Sequence, residues 1–167
     1  RERIDKLLDE NSFHETGELT GKVTYDEDGE IKEFVPSNFV FGRGKVKGRE
    51  IVVAGDDFTV RGGAADARIG NKSLYSLKLA EYHRLPLVNL VDGSGGGGSV
   101  KTLETMGATY VPGLPSWQNI VRLLSMVPVV GACMGSVAGL GSARVVASHF
   151  SIMVKGSAQM FVAGPPI

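Results

Sequence analysis

Two glycine-rich turns offer the clearest chemistry in this sequence. The first follows the apolar run Leu85–Val91, which ends in Asp92; five of the next six residues are glycine, and a helical pattern (Val100, Leu103, Met106) follows. The second, Gly135–Gly141 (GSVAGLG), follows the apolar run Val127–Met134 and leads into small residues. Glycine takes positive φ freely and lets another molecule lie against backbone amides. At a helix start, unpaired N–H groups point at one place and suit an anion or a developing oxyanion. Carried on neighbouring strands, the two turns could aim two N–H groups at one carbonyl oxygen. The structural alternatives are a flexible Gly-Gly-Gly-Gly-Ser linker for the first turn and close helix–strand packing by Gly135, Gly139 and Gly141 for the second.

Nucleotide chemistry fits less well. Gly93-x-Gly95-x-x-Gly98 matches the dinucleotide fingerprint in form, but that fingerprint needs an acid about twenty residues on for the ribose. No acid follows Glu104. A phosphate-binding P-loop needs lysine directly after its last glycine, and here Ser99 and Val100 precede Lys101.

The elements that must hold these turns alternate between strand and helix patterns. Residues 1–15 read as an amphipathic helix (Ile4, Leu7, Leu8), and 24–30 as an acidic turn between extended pieces. Residues 39–54 alternate and turn at Gly48, a hairpin signature. Asp57–Gly63 reads as a strand leading into a turn, and Ala64–Arg84 as a helix with Ile69, Leu74, Leu77 and Leu79 inward. The strand Leu87–Val91 follows, then helices over 99–108 and 116–125, the strand 127–134, a small-residue helix 142–147 and the strand 150–154. Short connections in this order predict an α/β fold.

With 167 residues the chain can build one core of ordinary size. Its net charge is zero, so no basic footprint argues for nucleic acid. One cysteine excludes a disulfide framework and fits a reducing compartment. No apolar run approaches a membrane span and no signal peptide is visible, so the protein is expected in the cytoplasm, or in the mitochondrial matrix of a eukaryote. All eighteen acids lie between Glu2 and Glu104, and beyond them Arg122, Arg144 and Lys155 are the only full charges. A segment so poor in charge is expected to be buried, in the domain or against a partner, and supplies no carboxylate as base or metal ligand. The chain opens at Arg1 and stops within an apolar pattern, as a fragment of something longer would.

Weaker candidates read as structure. His14, His83 and His149 are far apart in sequence and fit surface or capping positions. Cys133 fits an inert core thiol. Asp92 could orient the first turn or simply cap it, and Trp117 and Tyr110 suit packing better than a ligand pocket. Asp56 and Asp57 lack a suitably spaced third metal ligand, so no metal is expected.

Taken together, Gly55–Gly63 (GDDFTVRGG), Val91–Gly96, Met134–Gly141 and the later Met153-Val-Lys and Phe161–Pro165 resemble, in this order, the N-terminal half of the carboxyltransferase (beta) subunit of biotin-dependent acyl-CoA carboxylases. The resemblance implies a crotonase-like ββα superhelix, with residues 1–167 as an incomplete acyl-CoA-binding half and the biotin-binding half absent. It implies that amides at Gly139 and Leu140 hold the thioester enolate, and that Gly62, Gly63, Gly95, Gly96, Gly97 and Gly98 contact acyl-CoA. Leu140 stands where the family has a second glycine, and Gly93 with extra glycines stands where the family has Asp-Ser-Gly-Gly-Ala-Arg. The implied cofactor is biotin, as carboxybiotin on a carrier protein; its ureido group serves as base, so no protein carboxylate is required. Implied partners are the biotin carboxyl carrier protein, the biotin carboxylase subunit and further copies of the same chain. An acyl-CoA decarboxylase or transcarboxylase subunit, or a non-catalytic CoA-binding assembly subunit, are the alternatives.

Overall fold

In the computed structural model, residues 1–64, 71–94, 103–104, 107–108 and 115–162 are described. Helix α1 (Glu2–Leu7) precedes the short strand β1 (His14–Glu15) and a two-stranded hairpin, β2 (Gly21–Tyr25) with β3 (Ile31–Pro36). Strands β4 (Phe39–Val46) and β5 (Arg49–Asp56) follow, then a 3-10 turn (Arg61–Gly63), helix α2 (Lys72–His83) and β6 (Leu87–Ser94). Helix α3 (Pro115–Leu124), β7 (Val129–Ala138), α4 (Leu140–Val146), β8 (Phe150–Met153) and β9 (Gln159–Phe161) complete the order.

Seven strands form the main sheet in the order β1-β4-β5-β6-β7-β8, with β9 beside the far half of β7. The β4–β5 hairpin turns on Lys47 and Gly48, both at positive φ (51° and 77°), as a tight hairpin loop requires. The Asp9 carboxylate accepts both turn amides, Lys47 N at 2.8 Å and Gly48 N at 2.7 Å. From β5 onward the pairing is parallel: Val52 opposes Leu87, Leu87 opposes Val129, and Val130 opposes Phe150.

Side chains alternate across the sheet as strand geometry demands. Phe39, Phe41, Val52, Ala54, Leu87 and Val129 face α2 and α3, where Leu77, Ala80 and Leu123 close a buried cluster. Val40, Ile51, Val53, Leu90 and Ala132 face the other way, against Ile4 and Leu8. Beneath α4, Val91, Cys133, Val137 and Val145 form a third cluster.

Several expected bounds move. The first helix ends at Leu7 rather than near Asn11, because Leu8 is already extended and Asn11 takes a left-handed φ of 55°. His14 and Glu15 join the sheet edge beside Gly42, where a Cβ would stand 2.1 Å from the His14 carbonyl oxygen. Residues 57–60 form no strand. The Asp57 carboxylate binds the Thr59 amide and hydroxyl instead, a local bond that competes with extended pairing. Helix α2 begins at Lys72, and the expected start at Ala64–Gly70 falls almost wholly outside the described residues. So does most of the expected helix over 99–108. Strand β9, three residues long, is too short to carry a periodic signal in the sequence.

Candidate active site

The two glycine turns issue from adjacent parallel strands. Gly93 and Ser94, at the end of β6, pair with Val137 and Ala138 of β7. Between Cys133 and Val137 the register slips, so Met134, Gly135 and Ser136 stand opposite the single residue Asp92. Such bulges re-aim the chain at sheet ends and beside active sites. The glycine of this bulge has a steric cause, since a Cβ on Gly135 would lie 2.4 Å from Asp92 Oδ1.

A third segment closes on the same point. Arg61, Gly62 and Gly63 all have left-handed φ (54°, 58° and 68°). That sequence of angles folds the Arg61–Gly63 turn against the end of β6. A Cβ on Gly63 would stand 2.2 Å from the Asp92 carbonyl oxygen, and one on Gly93 would stand 2.7 Å from Gly63 Cα. Gly62 and Gly63, expected at the acyl-CoA site, thus lie beside the root of the first glycine turn. Gly95, Gly96, Gly97 and Gly98 lie outside the described residues.

The second turn is tighter than expected. Strand β7 runs through Gly135 to Ala138, leaving Gly139 as the whole connection to α4. Gly139 has φ 58° and ψ −125°, a conformation open essentially to glycine. Its N–H is committed to the Phe161 carbonyl at 3.0 Å, and its own carbonyl accepts the Ala143 N–H at 3.1 Å. Of the two expected enolate donors, Gly139 and Leu140, the Gly139 amide has its acceptor in strand β9. Leu140 is the first residue of α4, where amides have no intrahelical acceptor. The hydroxyl of Ser142 holds this turn from beneath, within 3.0 Å of the Val137 carbonyl and 2.9 Å of the Phe161 carbonyl.

Buried charge underlies both turns. Asp56, at the end of β5, has a fully buried side chain whose two oxygens each lie 3.1 Å from Arg144 Nη1 on α4. Its Oδ2 also accepts the Asp92 N–H at 3.2 Å. The Asp92 carboxylate, itself buried, pairs with Arg3. The Arg144 guanidinium lies over the Phe39 ring, 5.4 Å from its centroid. Sequence spacing does not reveal Asp56 and Arg144 as a pair. The available signal is Arg144 itself, an isolated cation in a nearly uncharged segment, since a charge buried there needs a partner.

The remaining candidates behave as structure. His14, His83 and His149 lie on separate exposed stretches, and His149 Nδ1 accepts the Val129 N–H at 3.1 Å. The Cys133 thiol is buried, and its pKa is pushed up by burial and then by the charge of Asp92. Trp117 is half-buried on α3, and Tyr110 lies outside the described residues. Among the described residues no three His, Cys, Asp or Glu side chains gather as a metal site, and no helix is long and apolar enough to cross a membrane.

The family profile described as the carboxyl transferase domain matches residues 1–167. The chain is 33% identical to the mitochondrial methylcrotonoyl-CoA carboxylase beta chain of Arabidopsis thaliana, over all of this chain and 28% of that one. It is 29% identical to the methylmalonyl-CoA decarboxylase subunit alpha of Veillonella parvula, over all of this chain and 32% of that one. Among solved structures it is similar to the beta subunit of P. aeruginosa geranyl-CoA carboxylase, with a TM-score of 0.73 and 27% identity. That match covers 99% of this chain and 30% of the other. The chain thus spans less than a third of the length of the curated relatives named here.

Proposed function

From the premise that this chain belongs to the carboxyl transferase domain family and has its crotonase-like α/β fold, we propose that it is the acyl-CoA-binding part of a carboxyltransferase subunit. That subunit serves a biotin-dependent acyl-CoA carboxylase. The observation that carries the reading is the convergence at the ends of β6 and β7. The backbone of Gly63 packs against that of Gly93 at the end of β6, and the Gly139–Leu140 step directly follows β7, whose Val137 and Ala138 pair with Gly93 and Ser94.

This donor set suits a thioester. Carboxylation at the carbon next to the thioester passes through an enolate, whose oxygen gains negative charge as the α-proton leaves. A backbone N–H fixed at a helix start stabilises that charge without reorganising. We assign this role to Leu140 N–H, with Gly139 setting its direction through a conformation that other residues resist. We place the CoA moiety along Gly62, Gly63 and the turn Gly95–Gly98. Carboxybiotin, brought on a carrier protein, supplies the carbon dioxide and the base. The residues around α4 fit that division of labour: Ser142, Ala143 and Arg144 follow the turn, and the carboxylate nearest α4 in the described pairings, Asp56, is held by Arg144.

We further propose that the intact subunit works as a homo-oligomer with a biotin carboxylase and a biotin carboxyl carrier protein, in the cytoplasm or mitochondrial matrix. The exposed apolar side chains near β8 support an additional protein surface there. Phe150, Ile152, Met153 and Val162 are all solvent-facing, Val162 at 94%. The likeness to a methylmalonyl-CoA decarboxylase subunit favours one second reading, the same enolate chemistry run toward loss of carbon dioxide.

The test is reconstitution of the full-length subunit with biotinylated carrier and biotin carboxylase. ATP-dependent incorporation of labelled bicarbonate into an acyl-CoA is expected. Release of carbon dioxide from a malonyl-type CoA without ATP would establish the second reading. An intact subunit that binds acyl-CoA but does neither would be a non-catalytic assembly component, and one that does not bind acyl-CoA would overturn the proposal.

A further inference from the structure

We infer that Asp56 and Arg144 are positioning residues that hold the end of β6, where the first glycine-rich segment begins, in register with the start of α4. The inference rests on the functional reading above only for its consequence on rate; the linkage itself stands on geometry.

Backbone pairing between β5 and β6 is recorded from Val52↔Leu87 to Gly55↔Leu90. Asp92 lies just past that ladder, and its N–H is taken by the Asp56 side chain rather than by a β5 carbonyl. The carboxylate therefore replaces a strand rung where β6 departs into its turn. Its two oxygens also hold Arg144, four residues beyond Leu140 and so one turn along the same face of α4. One fully buried carboxylate thus ties the root of the first turn to the helix that opens with Leu140. Two further contacts fix the ends of the chain. Arg3 holds the Asp92 carboxylate, and Phe39 underlies the Arg144 guanidinium.

The chemistry of the pair suits this role. The Arg144 guanidinium keeps its charge at all working pH and meets both Asp56 oxygens through Nη1. A carboxylate can accept from two directions at once, so it bridges a backbone amide and a cation without strain. Because Asp56 lies on β5 rather than on either turn, it fixes both against a strand whose residues Ile51 to Gly55 are buried. Displacement of one turn against the other by about 1 Å would cost roughly 100-fold in rate while leaving CoA contacts largely intact.

Two readouts on the intact subunit test this, one of them independent of activity. Amide hydrogen exchange is measured on wild type, Arg144→Met and Arg144→Lys, the last keeping the charge but losing the planar group over the Phe39 ring. The linkage predicts faster exchange at Asp92 on β6 in both variants, although the substitution lies on α4, with the β4–β5 hairpin unchanged. Exchange confined to α4 in a folded variant would overturn the linkage whatever the enzyme does. If Arg144→Met does not fold, Arg144→Lys carries the same comparison. In the kinetic arm, Asp56→Asn and Arg144→Lys are expected to lower kcat by about 10- to 100-fold with acyl-CoA Kd within about twofold. Equal losses in kcat and in acyl-CoA affinity would overturn the positioning role. An inactive wild type would fault the functional reading, and the linkage would then stand or fall on the exchange at Asp92.

Discussion

The Asp92 carbonyl oxygen lies so close to the α-carbon of Gly63 that a Cβ there would stand 2.2 Å from it. No L-side chain fits at that distance, and Gly63 also has a left-handed φ of 68°. Gly63→Ala should therefore destabilise the intact subunit by about 2 kcal/mol or more, from strained backbone plus forced separation of the two segments. Urea denaturation followed by a signal from this domain is the measurement. A loss under about 0.5 kcal/mol would mean the segments part without cost.

Gly139 should separate binding from chemistry. Its φ and ψ set where the Leu140 N–H points, and its own N–H is spent on Phe161. Gly139→Val is expected to lower kcat by about 100- to 1,000-fold, as loss of one oxyanion donor does, with a much smaller change in acyl-CoA binding. Steady-state kinetics beside calorimetric binding distinguishes this from a packing role, in which a folded variant keeps its kcat.

Acid should weaken the β4–β5 hairpin through Asp9. Two backbone amides, from Gly48 and Lys47, bind its carboxylate and hold its pKa below the ordinary 3.8. A carboxyl with a depressed folded pKa stabilises fully above its unfolded value and loses that contribution as pH falls through the folded one. Wild type should thus be more stable than Asp9→Ala near neutral pH. The gap should close only below about pH 4, as denaturation series at several pH values would show.

Lys72 predicts the opposite flank. Burial at the start of α2 pushes its ammonium below the usual 10.5, although Glu15, 3.7 Å away, pulls upward. The folded state then binds this proton less tightly than the unfolded chain. Stability should accordingly rise with pH from the folded pKa up to about 10.5, and be flat below it. Lys72→Met should abolish that slope while staying within about 1 kcal/mol of wild type, since Glu15 keeps its pair with Arg1. An unchanged slope in the variant would assign it to another group.

Cys133 should resist alkylation in the folded protein. Its sulfur is buried, and both burial and Asp92 disfavour the reactive thiolate. Mass mapping after brief iodoacetamide treatment should find Cys133 unmodified until denaturant is added.

Strong periodicity makes part of this fold readable in the residues. The alternation of Phe39–Ala54 around Gly48 locates the hairpin, and the apolar runs before Asp92 and Gly135 locate the two parallel strands that carry the turns. What escapes depends on contacts between distant segments. The slip that sets three β7 residues opposite Asp92 brings Gly135 against the Asp92 carboxylate, a contact between strands that no local pattern carries. The extent of β7 to Ala138 is fixed by pairing with β9, whose three residues carry no periodic signal. The capture of the Gly139 amide by Phe161 has the same origin. In the sequence Asp56 reads only as half of an incomplete metal pair, because its partner lies 88 residues away on α4.

The parallel arrangement of β5, β6 and β7 also bears on the order in which this molecule assembles. The β4–β5 hairpin closes through two residues and can form early. Bringing Leu87 beside Val52 requires closing a stretch of roughly 35 residues, and bringing Val129 beside Leu87 roughly 40 more. Long closures lose chain entropy before any contact repays it, so such pairings come late and slowly. The end of the sheet where β6 and β7 meet, the part we propose as the acyl-CoA site, is therefore a late product of folding. Substitutions that slow β7 docking should lengthen the interval in which the chain has its hairpin but not the paired ends of β6 and β7.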